Sequence, residues 1–518
     1  MTSTDQSNAA KNLSLVRVRF PPSPTGLLHV GGARTALFNW LFAYGQAPRQ
    51  HKNGQLIIRI EDTDRSRFVP GAAEGMLDIL DWFGLIWDEG PDKGGPVGPY
   101  VQSERTALYQ EHAQQLIDSG TAYRCFCTPE RLQQLREEQQ ARKQAPGYDR
   151  ICRSLDQGEI SQNLAAGMSF VIRFTMPREG ETIVDDFIRG PMAFQNVNLE
   201  DLVLLKTDGY PTYHLANVVD DHHMNITHIM RGDEWIPTAP VHVQLYHAFG
   251  WDVPVLAHMP LILAPGGGKL SKRHGSTAME EFRSQGYLPE ALMNYLALLG
   301  WSFDGQTEIF SKYDLLEKFT IERVSPSPAT FDYSKLRWFN QHYINHILTL
   351  DDLTERVIPF LVEQNLVSIS ADDVDSPDFT RVRDVVSILK DRIELLADAP
   401  CLMSYFLRDE LEHFDPQLLI PKKCDVTMAS SALGAAIGII SSIGVENATD
   451  LEASLRELAE KNGWKAGQLF MPIRVAVTGR TESPGLFDTL RVIGLKRVLQ
   501  RLDNALHLLT DSSHLSNA

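Results

Sequence analysis

The sequence predicts an α/β fold: a parallel sheet with covering helices over about the first two thirds of the chain, then an all-helical remainder. Three observations carry this. Residues 17–32 read as strand, tight loop and helix, with Val16 to Phe20 alternating apolar and charged as in a half-buried strand. Residues 55–60 (Gln-Leu-Ile-Ile-Arg-Ile) and 226–230 are short apolar runs, as in strands covered on both faces. From Asp351 on, the apolar spacing is that of amphipathic helices, over 353–364, 381–396, 451–462 and 490–509.

Composition sets the class. The chain has 518 residues, 43% hydrophobic and 22% charged, which is ordinary for a globular protein with room for several domains. The apolar stretch 433–445 is too short to span a bilayer and contains Ser441 and Ser442, so no membrane segment is expected. The first dozen residues are polar and do not resemble a secretory signal. Five cysteines in so long a chain exclude a disulfide scaffold and favour a reducing compartment, the cytoplasm. A net charge of −17 has the wrong sign for a generic nucleic-acid binder, so any RNA-facing surface must concentrate its cations locally.

In chain order, Pro21, Pro22, Pro24 and Gly26 punctuate the first loop. The helix that follows, strongly apolar over 35–42, opens with unpaired N–H groups and a positive dipole end suited to phosphate. His29 offers a polar ring there, and Gly31 a place for close approach of a base. The second strand runs into Glu61-Asp62-Thr63-Asp64-Arg65, at the carboxyl end where open α/β sheets hold ligands; a turn with a helix cap is the plainer reading. Helices are expected over 71–83 and 103–119, with a proline-rich loop over 90–98.

Cys125 and Cys127, with Cys152 beyond a charged helix over 129–143, present three thiols with zinc-like spacing. A tetrahedral ion needs a fourth ligand, for which Tyr148 and the poorer Ser154 are available. Strands over 168–174, 182–187, 194–197 and 202–205 make a β-rich insertion, and 206–211 a turn. Tyr213 and Asn217, four apart, share a helix face. Asp220-Asp221-His222-His223 looks like a metal motif, but successive side chains diverge on either a strand or a helix, so it is not read as one. Arg231 exits the 226–230 strand, a helix follows over 241–250, and a strand over 261–264 yields to Gly266-Gly267-Gly268. Lys269, Lys272 and Arg273 on that loop suit polyphosphate. Helices over 290–299 and 335–346 flank a Ser-Pro-Ser-Pro joint at 325–328, and no chemical motif is visible beyond them.

Taken together, Pro22-Ser23-Pro24-Thr25-Gly26 with His29-Val30-Gly31-Gly32, Arg59-Ile60-Glu61-Asp62-Thr63-Asp64, residues 204–217, Lys269-Leu270-Ser271-Lys272-Arg273 and Leu336-Arg337-Trp338-Phe339-Asn340 resemble, in order, the class I aminoacyl-tRNA synthetases, and within them the bacterial-type glutamyl-tRNA synthetases. The likeness runs over about 17–343. It implies a Rossmann-like parallel-sheet catalytic domain with a mixed α/β insertion and an all-α anticodon-binding region. The ranges implied are a disordered tail 1–13, catalytic halves 14–107 and 216–275, an inserted acceptor-stem-binding domain 108–215, a stem-contact helical domain 276–345 and the anticodon region 346–518.

The resemblance further implies ATP with Mg²⁺, L-glutamate and tRNA(Glu) as partners, structural Zn²⁺ as an option, and a monomer. Arg19 and Arg231 would take the two glutamate carboxylates (Arg19 the side chain's and Arg231 the α-carboxylate, or the reverse), Glu61 the ammonium, and Ser23, Tyr213 and Asn217 would complete the pocket. His29, Lys269 and Lys272 would serve the phosphates as the catalytic groups, Gly31 the adenine, and Glu234 the ribose or base. Three positions depart from the family pattern: Gly32 replaces a second histidine, Arg273 a serine, and Ser154 the histidine of the zinc insert. Rival readings are a truncated-type relative that glutamylates a modified tRNA base, from which the helical third argues away, a glutaminyl-tRNA synthetase, and a tRNA-binding synthetase paralogue that glutamylates another tRNA or is non-catalytic.

Overall fold

β1 (Leu15–Phe20) runs parallel to β2 (Asn53–Ile58), with Leu15 opposite Asn53 and Phe20 opposite Ile58. The structure, a computed structural model, describes residues 15–50, 52–268 and 270–511, with only the backbone of Lys272 and Asp511. The tail expected over 1–13 lies outside the described residues. The chain divides into two compact units. The first runs to Arg283 and resumes over Pro289–Tyr333; the second takes Ser284–Leu288 and the chain from Ser334 on.

Parallel strands need a crossover, and α1 (Val30–Leu41) supplies it between β1 and β2. Its first free N–H, on Val30, donates to Thr277 O at 2.9 Å. The helix begins five residues ahead of the apolar run at 35–42, at Val30, after His29 in the extended N-cap conformation. β1 is not half-buried as its alternation implied: it is covered from Val16 to Phe20. The charged positions are buried because acids meet them. Arg17 pairs with Glu89 at 2.8 Å, and Arg19 with Asp221.

β2 packs against the turn after α1. A Cβ at Gly54 would fall 1.7 Å from Ala43 O, a backbone atom that cannot swing away. Gly54→Ala is therefore expected to destabilise the first unit by about 3 kcal/mol, the upper range for overpacking. A lowered urea midpoint in the soluble variant, or its loss to aggregation, checks this.

The larger sheet has strand order β6-β5-β9-β8, from β5 (Glu181–Asp186), β6 (Gly190–Gln195), β8 (His228–Gly232) and β9 (Val255–Met259). β8 and β9 are parallel, and Thr227 N donates to Arg17 O at 2.9 Å, bringing β1 alongside β8. β9 was not anticipated from the sequence, although Val255 to Met259 is an apolar run broken only by His258. The β5–β6 hairpin falls within the stretch read as the insertion, yet β5 pairs with β9. β6 ends at Gln195 rather than continuing to Val197. The Asn196 side chain binds Glu179 O and Thr182 Oγ1, which turns the chain away.

A separate antiparallel sheet joins β3 (Ala122–Cys125), β4 (Val171–Phe174) and β7 (Val203–Leu205) in the order β3-β4-β7. Its apolar face packs on α2 (Thr106–Asp118), α3 (Tyr213–His223) and α4 (Ala239–Phe249), with Tyr109, Leu116, Phe174, Leu215, Val219 and Leu245 in one core cluster. β10 (Ile262–Leu263) pairs with β11 (Ala329–Thr330), and Gly266, Gly267 and Gly268 all take positive φ in the turn after β10. Three left-handed residues in succession explain the glycine run.

The second unit is helical: α5 (Leu350–Glu363), α6 (Pro377–Leu389), α7 (Ala399–Leu407), α8 (Val426–Ile443), α9 (Ala448–Lys461), α10 (Ala466–Thr478), α11 (Leu486–Ile493) and α12 (Leu495–Asp511). The helix expected over 490–509 is two, broken at Gly494, whose φ is +87°. The one expected over 381–396 ends at Leu389 and tightens into a 3₁₀ turn. α8 is longer than the apolar stretch 433–445 suggested. It has 18 residues of mean hydropathy 1.7, enough to cross a membrane by length and composition. Its buried stripe, Ala429, Ala432, Leu433, Ala436 and Ile440, packs on α10 and α12. Arg501 on α12 donates to Tyr405 O and Val477 O, both at 2.8 Å, satisfying carbonyls at the ends of α7 and α10.

Candidate active site

The carboxyl ends of β1, β2 and β8 and the start of α3 enclose a cavity of about 510 Å³ in the first unit. Its wall includes Arg19, Ser23, Gly31, Glu61, Tyr213, Arg231 and Glu234, brought together from seven of the sequence-predicted positions. Thr63, Lys206 and Trp235 also line it. Strand ends of a parallel array are where α/β sheets hold ligands.

Arg19 is fully buried. Its Nε and Nη2 bind the Asp221 carboxylate at 3.1 and 3.2 Å. Asp221 also accepts from Arg59 Nη1 at 2.7 Å, and Arg59 Nη2 donates to Glu61 at 2.9 Å. Asp220 accepts from Arg105, Gln102 and Tyr109 at 2.7 to 2.9 Å. Three guanidinium groups (Arg19, Arg59, Arg105) thus meet three carboxylates (Glu61, Asp220, Asp221). Burial pushes the Asp221 carboxyl up, but Arg19 and Arg59 outweigh it and hold it below the usual range. Burial wins at Glu61, which is held above it against the pull of Arg59.

Arg231, 4% exposed, is held differently. Its Nε donates to His258 Nε2 at 3.0 Å, and its Nη1 to Tyr213 Oη at 3.0 Å and His242 Nδ1 at 3.1 Å. All three acceptors are neutral. Burial, then the Arg231 charge, keeps the His242 imidazole uncharged. Among the described residues Arg19 Nη1 and Arg231 Nη2 have no hydrogen-bond partner, although both are buried in the wall of one cavity. Unlike the similarly unpartnered Arg59 Nε, both belong to guanidinium groups that line one cavity, a setting that suits anionic oxygens as their partners.

Other predicted residues fall into place unevenly. Tyr213 packs against Trp235 at a tilt of 31°, with ring centroids 4.3 Å apart. Asn217 is buried behind the cavity. In the amide orientation that satisfies both polar atoms, its oxygen accepts from Arg59 and its nitrogen donates to Asp221. It belongs to the charge network rather than to the lining. His29 is exposed at the start of α1 and outside the cavity lining. At Gly31 a Cβ would meet nothing within 4 Å, so neither packing nor a positive φ calls for glycine there. Lys269, and the side chain of Lys272, lie outside the described residues.

Sequence alone assigns no role to Asp220, Asp221 or the histidines beside them. On α3 the two acids point inward to the arginines, while His222 stacks on Trp251 at 3.7 Å. The available signal was a charge balance: Arg19 and Arg59, on buried strands, require acids from elsewhere in the chain. Lys206, read only as part of a turn, reaches the wall with Nζ 3.0 Å from Thr63 O.

The thiols of Cys125, Cys127 and Cys152 lie within 4.8 Å of one another. Tyr148 Oη is 3.2 Å from Cys125 Sγ and 3.6 Å from Cys127 Sγ. Ser154 does not join them: its hydroxyl donates to Ile151 O. Three sulfurs and a phenol oxygen around one point suit a tetrahedral soft-ligand ion, and hydrogen bonds from Cys152 and Tyr148 pull the Cys125 thiol well down.

Residues 15–338 match the family model of class I tRNA synthetases (E and Q), catalytic domain, and 352–506 that of an anticodon binding domain. A glutamate–tRNA ligase of Dehalococcoides mccartyi is 45% identical over 496 residues, covering 96% of this chain and 99% of that one. One of Herpetosiphon aurantiacus is 43% identical over 507 residues, covering 96% and 98%. The solved structure of a glutamate tRNA ligase from Elizabethkingia meningosepticum, in complex with its amino acid, superposes with a TM-score of 0.84 at 36% identity, covering 95% of this chain and 99% of that one. With its catalytic half, its helical remainder and nearly its whole length matched, the chain belongs to the glutamate–tRNA ligases of the class I tRNA synthetases.

Proposed function

We propose that the cavity at the strand ends is where L-glutamate is activated with ATP and Mg²⁺ before transfer to tRNA(Glu). One observation carries this: two buried guanidinium groups, each with an unpartnered nitrogen, face one cavity that also holds a carboxylate, Glu61. Glutamate has the complementary pattern of two carboxylates and an ammonium. Arg19 takes the side-chain carboxylate, Arg231 the α-carboxylate, and Glu61 the ammonium. Ser23 and Tyr213 border the substrate, and Asn217 holds Glu61's surroundings in register. Glutamine would leave one guanidinium facing a neutral amide, which disfavours it.

The α-carboxylate oxygen attacks the α-phosphorus of ATP. The bond to the bridging oxygen breaks, and pyrophosphate leaves. The terminal ribose hydroxyl of the tRNA then attacks the acyl carbon and releases AMP. No covalent enzyme intermediate is required; positioning and charge stabilisation carry the rate. His29 serves the phosphates and Lys269 and Lys272 the departing pyrophosphate, with Gly31 beside the adenine and Glu234 toward the ribose or base. The ranges 108–215 and 276–345 contact the tRNA stem, and 346–518 reads the anticodon. The enzyme works as a cytoplasmic monomer.

Glutamate-dependent ATP–pyrophosphate exchange tests the reading. Exchange that appears only with tRNA(Glu) supports it. Exchange without any tRNA moves the assignment to a relative that glutamylates a tRNA base, and no exchange under either condition overturns the activity.

Cys125, Cys127, Cys152 and Tyr148 would hold Zn²⁺, which would tie β3 to the turn around Cys152. Metal analysis of protein purified without chelator is expected to find about one zinc per chain, lost in Cys152→Ser. Wild-type protein that takes up no zinc on equilibration removes this assignment.

A further inference from the structure

Arg231 depends on a buried chain of contacts that begins on another strand. Asp186, at the end of β5, accepts at Oδ1 from the backbone N–H groups of Ile188 and Arg189, at 3.0 and 2.9 Å. Its Oδ2 accepts from His258 N at 2.9 Å and His258 Nδ1 at 2.7 Å. His258 Nε2 then faces Arg231 Nε at 3.0 Å. His258 is fully buried and Asp186 2% exposed.

The donors settle the tautomer. A carboxylate engaged by four donors is only an acceptor, so His258 Nδ1 carries the proton. A guanidinium only donates, so His258 Nε2 offers its lone pair. The imidazole is therefore neutral and oriented at both ends. It fixes the Nε side of the guanidinium plane, while Tyr213 and His242 hold Nη1. Only Nη2 is left unpartnered.

We propose that His258, oriented by Asp186, is a positioning residue for glutamate binding: it sets the plane of Arg231 so that Nη2 meets a substrate carboxylate. This rests on the reading of Arg231 as a carboxylate-binding residue. It also gives the β5–β6 hairpin a role at the active site, since β5 carries Asp186 beside β9. A neutral brace suits the task. A carboxylate in direct contact with Arg231 would compete with the substrate for its charge, whereas an imidazole orients the group and leaves the charge available.

Two amide substitutions separate the contacts. In His258→Asn the amide stands near the Nδ1 position, keeping Asp186 but falling short of Arg231. In His258→Gln the amide oxygen reaches the Nε2 position and can still accept from Arg231. The readout is ATP–pyrophosphate exchange with tRNA(Glu), taken as KM for glutamate, KM for ATP and kcat. His258→Asn is expected to raise the glutamate KM about tenfold or more, on the scale of a lost charge-assisted hydrogen bond, with the ATP KM unchanged. His258→Gln should recover most of it. On an Arg231→Ala background, His258→Asn should add less than about threefold, because the two act as a unit.

Equal effects of the Asn and Gln variants, parallel rises in both KM values, or full additivity with Arg231→Ala would overturn the positioning role. An Arg231→Ala variant with an unchanged glutamate KM would instead remove the carboxylate-binding reading, and this inference with it. Thermal midpoints of each variant separate loss of fold from loss of position.

Discussion

Arg19→Ala is expected to lower kcat/KM for glutamate by roughly 30-fold to several thousand-fold, the consequence of removing one partner of a buried charge contact worth about 2–5 kcal/mol. Two effects add. The Nη1 donor, unpartnered among the described residues, disappears. The network behind it also changes from balanced to net negative, because Asp221 and Glu61 remain while one of three guanidinium groups is gone. That excess repels a second carboxylate, so the variant should lose its preference for glutamate over glutamine as well as its rate. Arg19→Lys should recover only part. A single ammonium cannot hold Asp221 through two nitrogens and still present a third donor. Steady-state exchange with both amino acids decides the matter, and an unchanged glutamate KM in Arg19→Ala would remove Arg19 from the pocket.

Asp221→Ala is expected to be the most destabilising single change in the first unit, at about 3–5 kcal/mol, the cost of leaving buried charges uncompensated. The Asp221 carboxylate is fully buried and holds both Arg19 and Arg59. A urea unfolding series reads the loss directly. Its pH dependence follows from the direction of the shift. The folded carboxyl lies below its ordinary range: burial raises it, but Arg19 and Arg59 outweigh burial. Its stabilising contribution is therefore complete above the ordinary aspartate value near 4 and lost as pH falls through the lowered folded value. The stability gap between wild type and Asp221→Ala should stay constant above about pH 5 and narrow below about pH 4. A gap that widened in acid would show that Asp221 does not carry the network charge.

These predictions separate what could be read along the chain from what could not. Arg19, Ser23, Gly31, Glu61, Tyr213, Arg231 and Glu234 were legible as site positions because strand ends and helix starts are local patterns, written in a few neighbouring residues. Asp220 and Asp221 were legible only as an odd polar run. Their meaning depends on arginines 115 to 202 positions away in sequence, from the Arg105–Asp220 contact to the Arg19–Asp221 contact. His258 had no local signal at all, since β9 was not seen and a lone histidine in an apolar run reads as core.

The sequence by itself determined the α/β class, the order of the motifs and the chemistry that their side chains permit. Spacing, glycine placement and residue type are properties of short segments, so they survive without a structure. The tertiary structure alone decided which charges cancel and which remain. It turned Arg17 and the Arg19 pair inward, placed the β5–β6 hairpin against β9, moved Asn217 behind the cavity, and left Arg19 Nη1 and Arg231 Nη2 without partners. Electrostatic balance in a buried site is a sum over distant segments, and only the folded chain brings its members within reach.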